Sequence, residues 1–169
     1  TITYNAAVSA CESGEEWVPA LQLFREMADC RVERNTITYS AAVSACEKGG
    51  QWGAALQLFR KMATSLAESN TITFNAAVSA CEKGGQWVQA LQLFREMGDN
   101  HVKRDTITYN ATISACEKGE QWVQALQVFL GMVDSRVERS TNTYNAAVSS
   151  CEKGEQWIQA LQLLREMAD

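Results

Sequence analysis

The amino-acid sequence predicts an all-α fold, an α-solenoid of five stacked helix-turn-helix repeats, on three observations. A Thr-x-Thr pair recurs at Thr1, Thr36, Thr71, Thr106 and Thr141, a constant step of 35 residues. Trp17, Trp52, Trp87, Trp122 and Trp157 keep the same step, as do Met27, Met62, Met97, Met132 and Met167. Between these markers the apolar residues follow a helical period. A fixed spacing in this range, carried by large apolar side chains, is the mark of stacked repeats. The repeats occupy 1–35, 36–70, 71–105, 106–140 and 141–169, with no linker or low-complexity stretch between them.

The third repeat shows why each element should form. Phe74, Ala77, Val78 and Cys81 fall at i, i+3, i+4 and i+7, one face of an α-helix. Thr73 is placed to cap its start, since a hydroxyl accepts an orphan backbone N–H. Gly84, followed by Gly85, should end it, because glycine takes positive φ at little cost. A second helix should begin near Gln86, with Trp87, Ala90, Leu91, Phe94 and Met97 on one apolar stripe. The segment after Met97, GDNHVKRD, is polar and reads as a loop. With only two or three residues between them, the helices should fold back antiparallel. One such hairpin cannot bury both stripes, and stacking the next hairpin on it can.

The other repeats are near-copies, and their departures are few. Pro19 stands near the start of a second helix, where a missing N–H is tolerated. Gly53 replaces the residue usual after tryptophan and should weaken its helix slightly. The second closing loop, ATSLAESN, lacks the basic character of its equals. His101 sits alone in a loop and receives no role. Leu130 and Gly131 stand where other repeats carry a pair such as Arg-Glu, so Leu130 should be exposed. Asn142 replaces isoleucine, and Leu164 replaces phenylalanine.

An apolar fraction of 46% is enough for a continuous core. No stretch approaches the roughly 18 apolar residues of a membrane span, so no membrane insertion is expected, and no targeting segment is expected within the residues given. The chain opens on the first residue of a repeat, and its end repeats resemble the interior ones, so flanking repeats are expected beyond it. Cys11, Cys46, Cys81, Cys116 and Cys151 hold one helical position. Equivalent helices sit about 8–10 Å apart, too far for disulfides, and these thiols should be small core residues. One cysteine per repeat with a single histidine builds no zinc site, and no cofactor or metal is expected. Cys30, in a loop, should be exposed. The tryptophans lie in line with the second-helix stripe and read as core rather than as a base-stacking platform. The net charge of −5 lacks the basic footprint usual for nucleic-acid binders, although charge on one face of a solenoid need not mirror the other.

A 35-residue helical hairpin that opens Thr-Ile-Thr-Tyr-Asn and closes its second helix with Ala-Leu-x-Leu-Phe-x-x-Met resembles a pentatricopeptide repeat over the whole chain. The tetratricopeptide repeat differs in its 34-residue period and in carrying its tryptophan in the first helix. The resemblance implies a right-handed superhelix and single-stranded RNA as partner, read one base per repeat by two or three side chains. In such repeats the fifth and last residues read the base, and the aliphatic second residue wedges against it. Carried over, Asn5 with Asn35 resembles a pyrimidine reader, Ser40 with Asn70 an adenine reader, Asn75 with Asp105 a uracil reader, and Asn110 with Ser140 a cytosine reader. Asn145 lacks its last-residue partner. Ile2, Ile37, Ile72 and Ile107 would be the wedges, and Asn142 breaks that series. The implied core is 5′-(C/U)AUC-3′. Lys48, Lys83, Lys118 and Lys153 resemble phosphate contacts, and they equally complement the dipole at a helix C-terminus. Arg34, Arg104 and Arg139 would add phosphate affinity. Asparagine and its equals also favour turns and caps in their own right.

Two functions follow from the resemblance. One is sequence-selective binding of single-stranded RNA in organellar RNA processing, stability or translation, in a plastid or mitochondrion. The other is a structural scaffold whose partners are proteins of a large organellar complex. An enzyme is not expected, since the chain carries no His-x-Glu with Cys-x-x-Cys, no aspartate cluster and no Gly-rich phosphate loop.

Overall fold

The structure, a computed structural model, describes residues 1–65 and 67–168, with backbone only for Ala168. Leu66, in the closing loop of the second repeat, and Asp169, the last residue of the fifth, lie outside the described residues. Two helices form in every repeat. The first helices are α1 (Ile2–Ser13), α3 (Thr36–Lys48), α5 (Thr71–Lys83), α7 (Thr106–Lys118) and α9 (Thr141–Lys153). The second helices are α2 (Trp17–Asp29), α4 (Trp52–Ala63), α6 (Trp87–Asp99), α8 (Trp122–Asp134) and α10 (Trp157–Ala168). No strand occurs among the described residues, and none of their helices is long and apolar enough to cross a membrane.

The chain divides into two compact units, Thr1–Gly84 and Gly85–Asp169, with the division in the turn of the third repeat. In the first unit α3 packs against α1, α2, α4 and α5, and in the second α9 packs against α7, α8 and α10. Each unit therefore has a row of first helices, and each second helix also reaches the first helix of the following repeat. An edge-to-face aromatic pair marks each such step: Phe24 with Tyr39, Phe94 with Tyr109 and Phe129 with Tyr144 at 5.1 Å, and Phe59 with Phe74 at 4.7 Å. Pairs of this kind add about 0.5–1.5 kcal/mol beyond the area they bury. Met27, Met62, Met97 and Met132 are fully buried beside them.

The caps fall differently from the expectation for Thr73. The side chain of Asn70, the last residue of the preceding repeat, accepts from the Thr73 backbone N–H at 3.0 Å and caps α5. Asn35, Asp105 and Ser140 cap α3, α7 and α9 in the same way, each with the threonine at the third helical position returning a hydrogen bond to the cap backbone. The helices accordingly start three residues earlier than a threonine cap would allow. A last-residue Asn, Asp or Ser suits this place because its oxygen reaches the orphan N–H groups without a helical backbone of its own.

The helix ends also depart from expectation. Gly84 keeps a negative φ of −81°, and the left-handed residue is the next one, Gly85 at +66°. Glu15, Glu120 and Glu155 take that conformation in other repeats. The glycine at the first position has a steric reason instead. A methyl group built on Gly49, Gly84, Gly119 or Gly154 would overlap Cδ1 and Cγ of Trp17, Trp52, Trp87 or Trp122. The tryptophans are thus not fully buried core residues, although Trp87 packs against the core of the second unit. Trp17, Trp87 and Trp122 are half-buried, Trp52 and Trp157 are exposed, and the first four lie flat on the following repeat's glycine.

Four of the five in-register cysteines fold as expected, and Cys11, in the first repeat with no repeat before it, is half-buried. Cys46, Cys81, Cys116 and Cys151 are buried, Cys30 is exposed, and all six are free thiols. Burial pushes the Cys46, Cys81 and Cys116 thiols up to about 11. His101 occupies a left-handed turn position shared with Arg31 and Arg136, which accounts for its place without a functional role. Leu130 is exposed, as is Val133 one turn on.

Candidate nucleic-acid interface

The first four first helices begin with an isoleucine at their first or second position, then a threonine, and soon after it the fifth residue of the repeat, while α9 carries Asn142 in the isoleucine position. The isoleucines point outward: Ile37 and Ile107 are 59% exposed, and Ile2 and Ile72 more so. The threonines, Thr38, Thr73, Thr108 and Thr143, are fully buried. A buried hydroxyl must be satisfied, and its partners here are the residues that the resemblance assigns to base reading.

In the first repeat the Asn5 Nδ2 donates to Asn35 Oδ1 at 3.2 Å. The Thr38 hydroxyl lies 2.6 Å from Asn5 Oδ1 and 3.1 Å from Asn35 Oδ1, with one proton to share between them. In the second repeat Ser40 Oγ is 2.8 Å from Thr73 Oγ1, which donates to Asn70 Oδ1 at 2.9 Å. In the fourth, Thr143 donates to Asn110 Oδ1 at 2.6 Å and sits 2.9 Å from Ser140 Oγ. In these three repeats the fifth and last residues thus meet through the threonine of the next. That threonine was legible only as a cap, because its second role joins residues 33 positions apart. Asn75 is 8% exposed on α5, and Asp105 caps α7 through Thr108 at 3.0 Å. Asn145 is exposed on α9, as is Asn142, which stands in the isoleucine position.

These clusters leave polar capacity unused. An amide carries two N–H donors and two acceptor lone pairs. Asn5 spends one donor and one acceptor on its neighbours, which fixes its orientation and leaves the rest for a ligand. The donor and acceptor sets differ from repeat to repeat (amide with amide, hydroxyl with amide, amide with hydroxyl), as discrimination among planar polar edges requires.

The opposite ends of the first helices behave otherwise. Lys48, Lys83 and Lys153 lie eight residues beyond the fifth position, about 12 Å along the helix axis. Each turns back to the preceding repeat. Lys83 Nζ is 2.6 Å from Glu47 Oε1, Lys153 is 2.8 Å from Glu117 Oε1, and Lys48 is 3.6 Å from Glu12 Oε1. Each also donates to the backbone carbonyl of the same glutamate, at 3.2–3.5 Å. Lys118 ends α7 at the equivalent place. The arginines expected to add phosphate affinity are committed to the second helices. Arg34, Arg104 and Arg139 lie over the rings of Phe24, Phe94 and Phe129 at 4.7, 4.2 and 4.0 Å. Arg104 also donates to the Phe94 carbonyl at 2.9 Å, and Arg139 pairs with Glu166 at 3.3 Å. They clamp the closing loops, which a sequence shows only as basic character near a turn.

The fold and this periodic row of polar clusters define a helical-repeat protein. Sequence profiles of the family agree. The PPR repeat profile matches residues 2–32, 107–137 and 142–169, the pentatricopeptide repeat domain profile residues 22–84, and the PPR repeat family profile residues 69–118. The chain belongs to the pentatricopeptide repeat family. No curated protein matches it in sequence. Among solved structures it is similar to the PPR domain of Arabidopsis thaliana protein-only RNase P 1 in complex with tRNA, at 15% identity and a TM-score of 0.84 over 94% of this chain and 84% of that one. It is also similar to nuclear proteinaceous RNase P 2 from A. thaliana, at 11% identity and a TM-score of 0.88 over 98% of this chain. The pentatricopeptide repeat protein PPR10 from maize, in complex with an 18-nt psaJ RNA element, matches at 21% identity and a TM-score of 0.75 over 96% of this chain. The chain spans 38% and 23% of the latter two structures.

Proposed function

We propose that the chain binds single-stranded RNA, one base per repeat, with 5′-(C/U)AUC-3′ as the preferred core. The observation that carries this reading is the bridging of fifth and last residues by the next repeat's threonine, beside an exposed isoleucine. The cluster offers an oriented polar edge, and the isoleucine offers an apolar surface against which a base can rest. Asn5 with Asn35, Ser40 with Asn70, Asn75 with Asp105 and Asn110 with Ser140 are the proposed readers. Ile2, Ile37, Ile72 and Ile107 are the proposed wedges, and Lys48, Lys83, Lys118 and Lys153 the proposed phosphate contacts. Asn145 is a candidate reader in the fifth repeat, without an isoleucine wedge beside it. Solved relatives of the same fold bound to RNA support the reading. The proposed setting is RNA processing, stability or translation in a plastid or mitochondrion. One structural relative is nuclear, so the fold does not by itself dictate the compartment.

The test is fluorescence anisotropy with a labelled 12-nucleotide RNA carrying CAUC, against a scrambled control, at two salt concentrations, with Ser40→Asn alongside. CAUC should bind more tightly, salt should weaken it, and the variant should shift the second base from A toward a pyrimidine. Equal affinity for the scrambled RNA would remove the code. A specific observation favours a second reading, a protein-binding scaffold: the cations best placed for phosphate already face carboxylates. Absence of RNA binding by the folded chain at low salt would select it.

A further inference from the structure

A groove lies away from the base-reading clusters, between the second helices α2 and α4 in the first unit. It is an open groove of about 750 Å³. Arg25, Arg34, Arg60 and Lys61 line it, and Asp29 is the one carboxylate among its lining residues. Four cations against one anion leave three positive charges on a groove wall, in a chain whose net charge is −5. Arg25, Arg60 and Lys61 make no ion pair among the described residues, and all three are exposed. The floor is apolar, formed by Leu21, Ala54 and Leu58.

Internal comparison shows how this groove arises. In the first, third and fifth repeats the arginine of the second helix is followed by a glutamate: Arg25-Glu26, Arg95-Glu96 and Arg165-Glu166. The second repeat alone reads Arg60-Lys61, a charge reversal at one position in an array otherwise close to verbatim. The corresponding groove of the second unit, between α6 and α8, is lined by two arginines and Asp134. One of those, Arg104, is held by the Phe94 carbonyl and ring. The α2/α4 groove therefore combines an apolar floor with three exposed cations, where the α6/α8 groove has Arg95 alone.

We propose that the α2/α4 groove is a protein-docking site for an acidic segment carrying large apolar side chains, whose carboxylates meet Arg25, Arg60 and Lys61 while its apolar residues cover Leu21 and Leu58. Charge complementarity sets the sign of the partner, and the floor separates a peptide from a nucleic acid. Phe24, the aromatic residue lining the groove, is 3% exposed and covered by Arg34, so no ring is open for base stacking. An RNA strand would be held there by phosphates alone, and the apolar floor would stay wet. The site is separate from the proposed RNA reading and stands or falls without it.

The probe is a fluorescein-labelled peptide, three repeats of Glu-Asp-Leu-Phe, titrated with the whole chain. The comparisons are a Gln-Asn-Leu-Phe peptide, a Glu-Asp-Ala-Ala peptide and an unstructured 12-nucleotide oligouridine. The acidic-apolar peptide should bind, and both altered peptides should bind at least about tenfold more weakly. Arg60→Glu with Lys61→Glu should cost a similar factor, while Arg95→Glu on α6 should leave binding within about twofold. Circular dichroism melts check that the variants stay folded, which exposed side chains make the expected outcome. No binding of the acidic-apolar peptide overturns the proposal. Equal binding of the Glu-Asp-Ala-Ala peptide reduces the site to bare charge and overturns it as well. Full displacement of the peptide by oligouridine, lost in the Arg60→Glu/Lys61→Glu variant, makes the groove a phosphate site and overturns it in favour of RNA.

Discussion

The two ends of the first helices use the same trick to different purposes. At both ends a side chain from one repeat meets a group of the next, 33 residues on at the start and 36 at the finish. At the starting end the groups are neutral, with donors and acceptors left over beside an exposed isoleucine. At the finishing end the groups are charged and matched, with Lys48, Lys83 and Lys153 each returned to a glutamate, and a tryptophan pressed on a glycine nearby. Residues also vary differently. The last position runs Asn, Asn, Asp, Ser, while the Glu-Lys pair and the glycine barely change. A junction that any small polar cap can close tolerates variety, and one that depends on close approach does not. The starting end can carry information because its structural task, capping, is met by several residue types.

The largest effect should come from breaking the finishing end. In Gly119→Ala the new methyl group meets Cδ1, Cγ and Cβ of Trp87, the base of the side chain and not its far end. Overpacking of this kind costs about 1–3 kcal/mol, or roughly 2–4 °C of Tm per kcal/mol in a chain of this size. Gly14 has no tryptophan over it, so Gly14→Ala should stay within about 0.5 kcal/mol. Equal melting of the two variants would mean that the tryptophan-glycine contact is not what fixes the glycine.

The thiols near that end give a pH-dependent companion. Unfolded, these cysteines ionise near 9.0, and folded they hold their protons to about 11. Between those values the folded state binds protons that the unfolded state has lost. The stability is therefore full below pH 9 and declines as pH rises toward 11. The fall in Tm from pH 8 to pH 10.5 should shrink in the variant carrying Cys46→Ala, Cys81→Ala and Cys116→Ala. An unchanged fall would assign the alkaline loss to other groups. At pH 8 iodoacetamide should modify exposed Cys30 well before these three.

The starting end should be more forgiving. Asp105→Ala removes the cap of α7 and should cost about 0.5–2 kcal/mol. Asp105→Asn keeps an oxygen for the Thr108 N–H and should lie within a few tenths of a kcal/mol of the parent. Melting curves of the two variants measure the difference. If Asp105→Asn proved as damaging as Asp105→Ala, the carboxylate charge, not the cap geometry, would hold that junction.

The helix pairs and the buried cysteines were legible because each follows from a period or a spacing within one repeat. The cap was misplaced from Asn70 to Thr73 because both residues belong to one capping exchange, and a sequence does not say which backbone is already helical. The tryptophans were read as core because their period matches the stripe of their own helix. Their contact is a glycine in the next repeat, outside the reach of any window on one helix. Arg104 and Arg139 were read as available charge for the same reason: the rings that hold them lie ten residues back. The fifth and last residues were marked only by resemblance, and physics adds to them a shared threonine partner.

The smallest expected effect on stability bears most directly on the finishing end. Glu47 and Lys83 form an ion pair at 2.6 Å, with the lysine side chain 45% exposed. Such pairs contribute about 0.2–1 kcal/mol, so Glu47→Gln should barely move Tm. Its effect on RNA should be larger than its effect on folding. If Lys83 can serve a phosphate, its glutamate competes with the RNA, and removing the carboxylate frees one cation. Each phosphate neutralised on a single strand steepens the dependence of log affinity on log salt by about 0.7. Glu47→Gln should therefore bind the CAUC RNA more tightly at low salt and show a slope steeper by about that amount, while base preference stays unchanged. An identical slope in parent and variant would show that Lys83 belongs to the structural ladder alone, and would confine recognition to the starting ends of the helices.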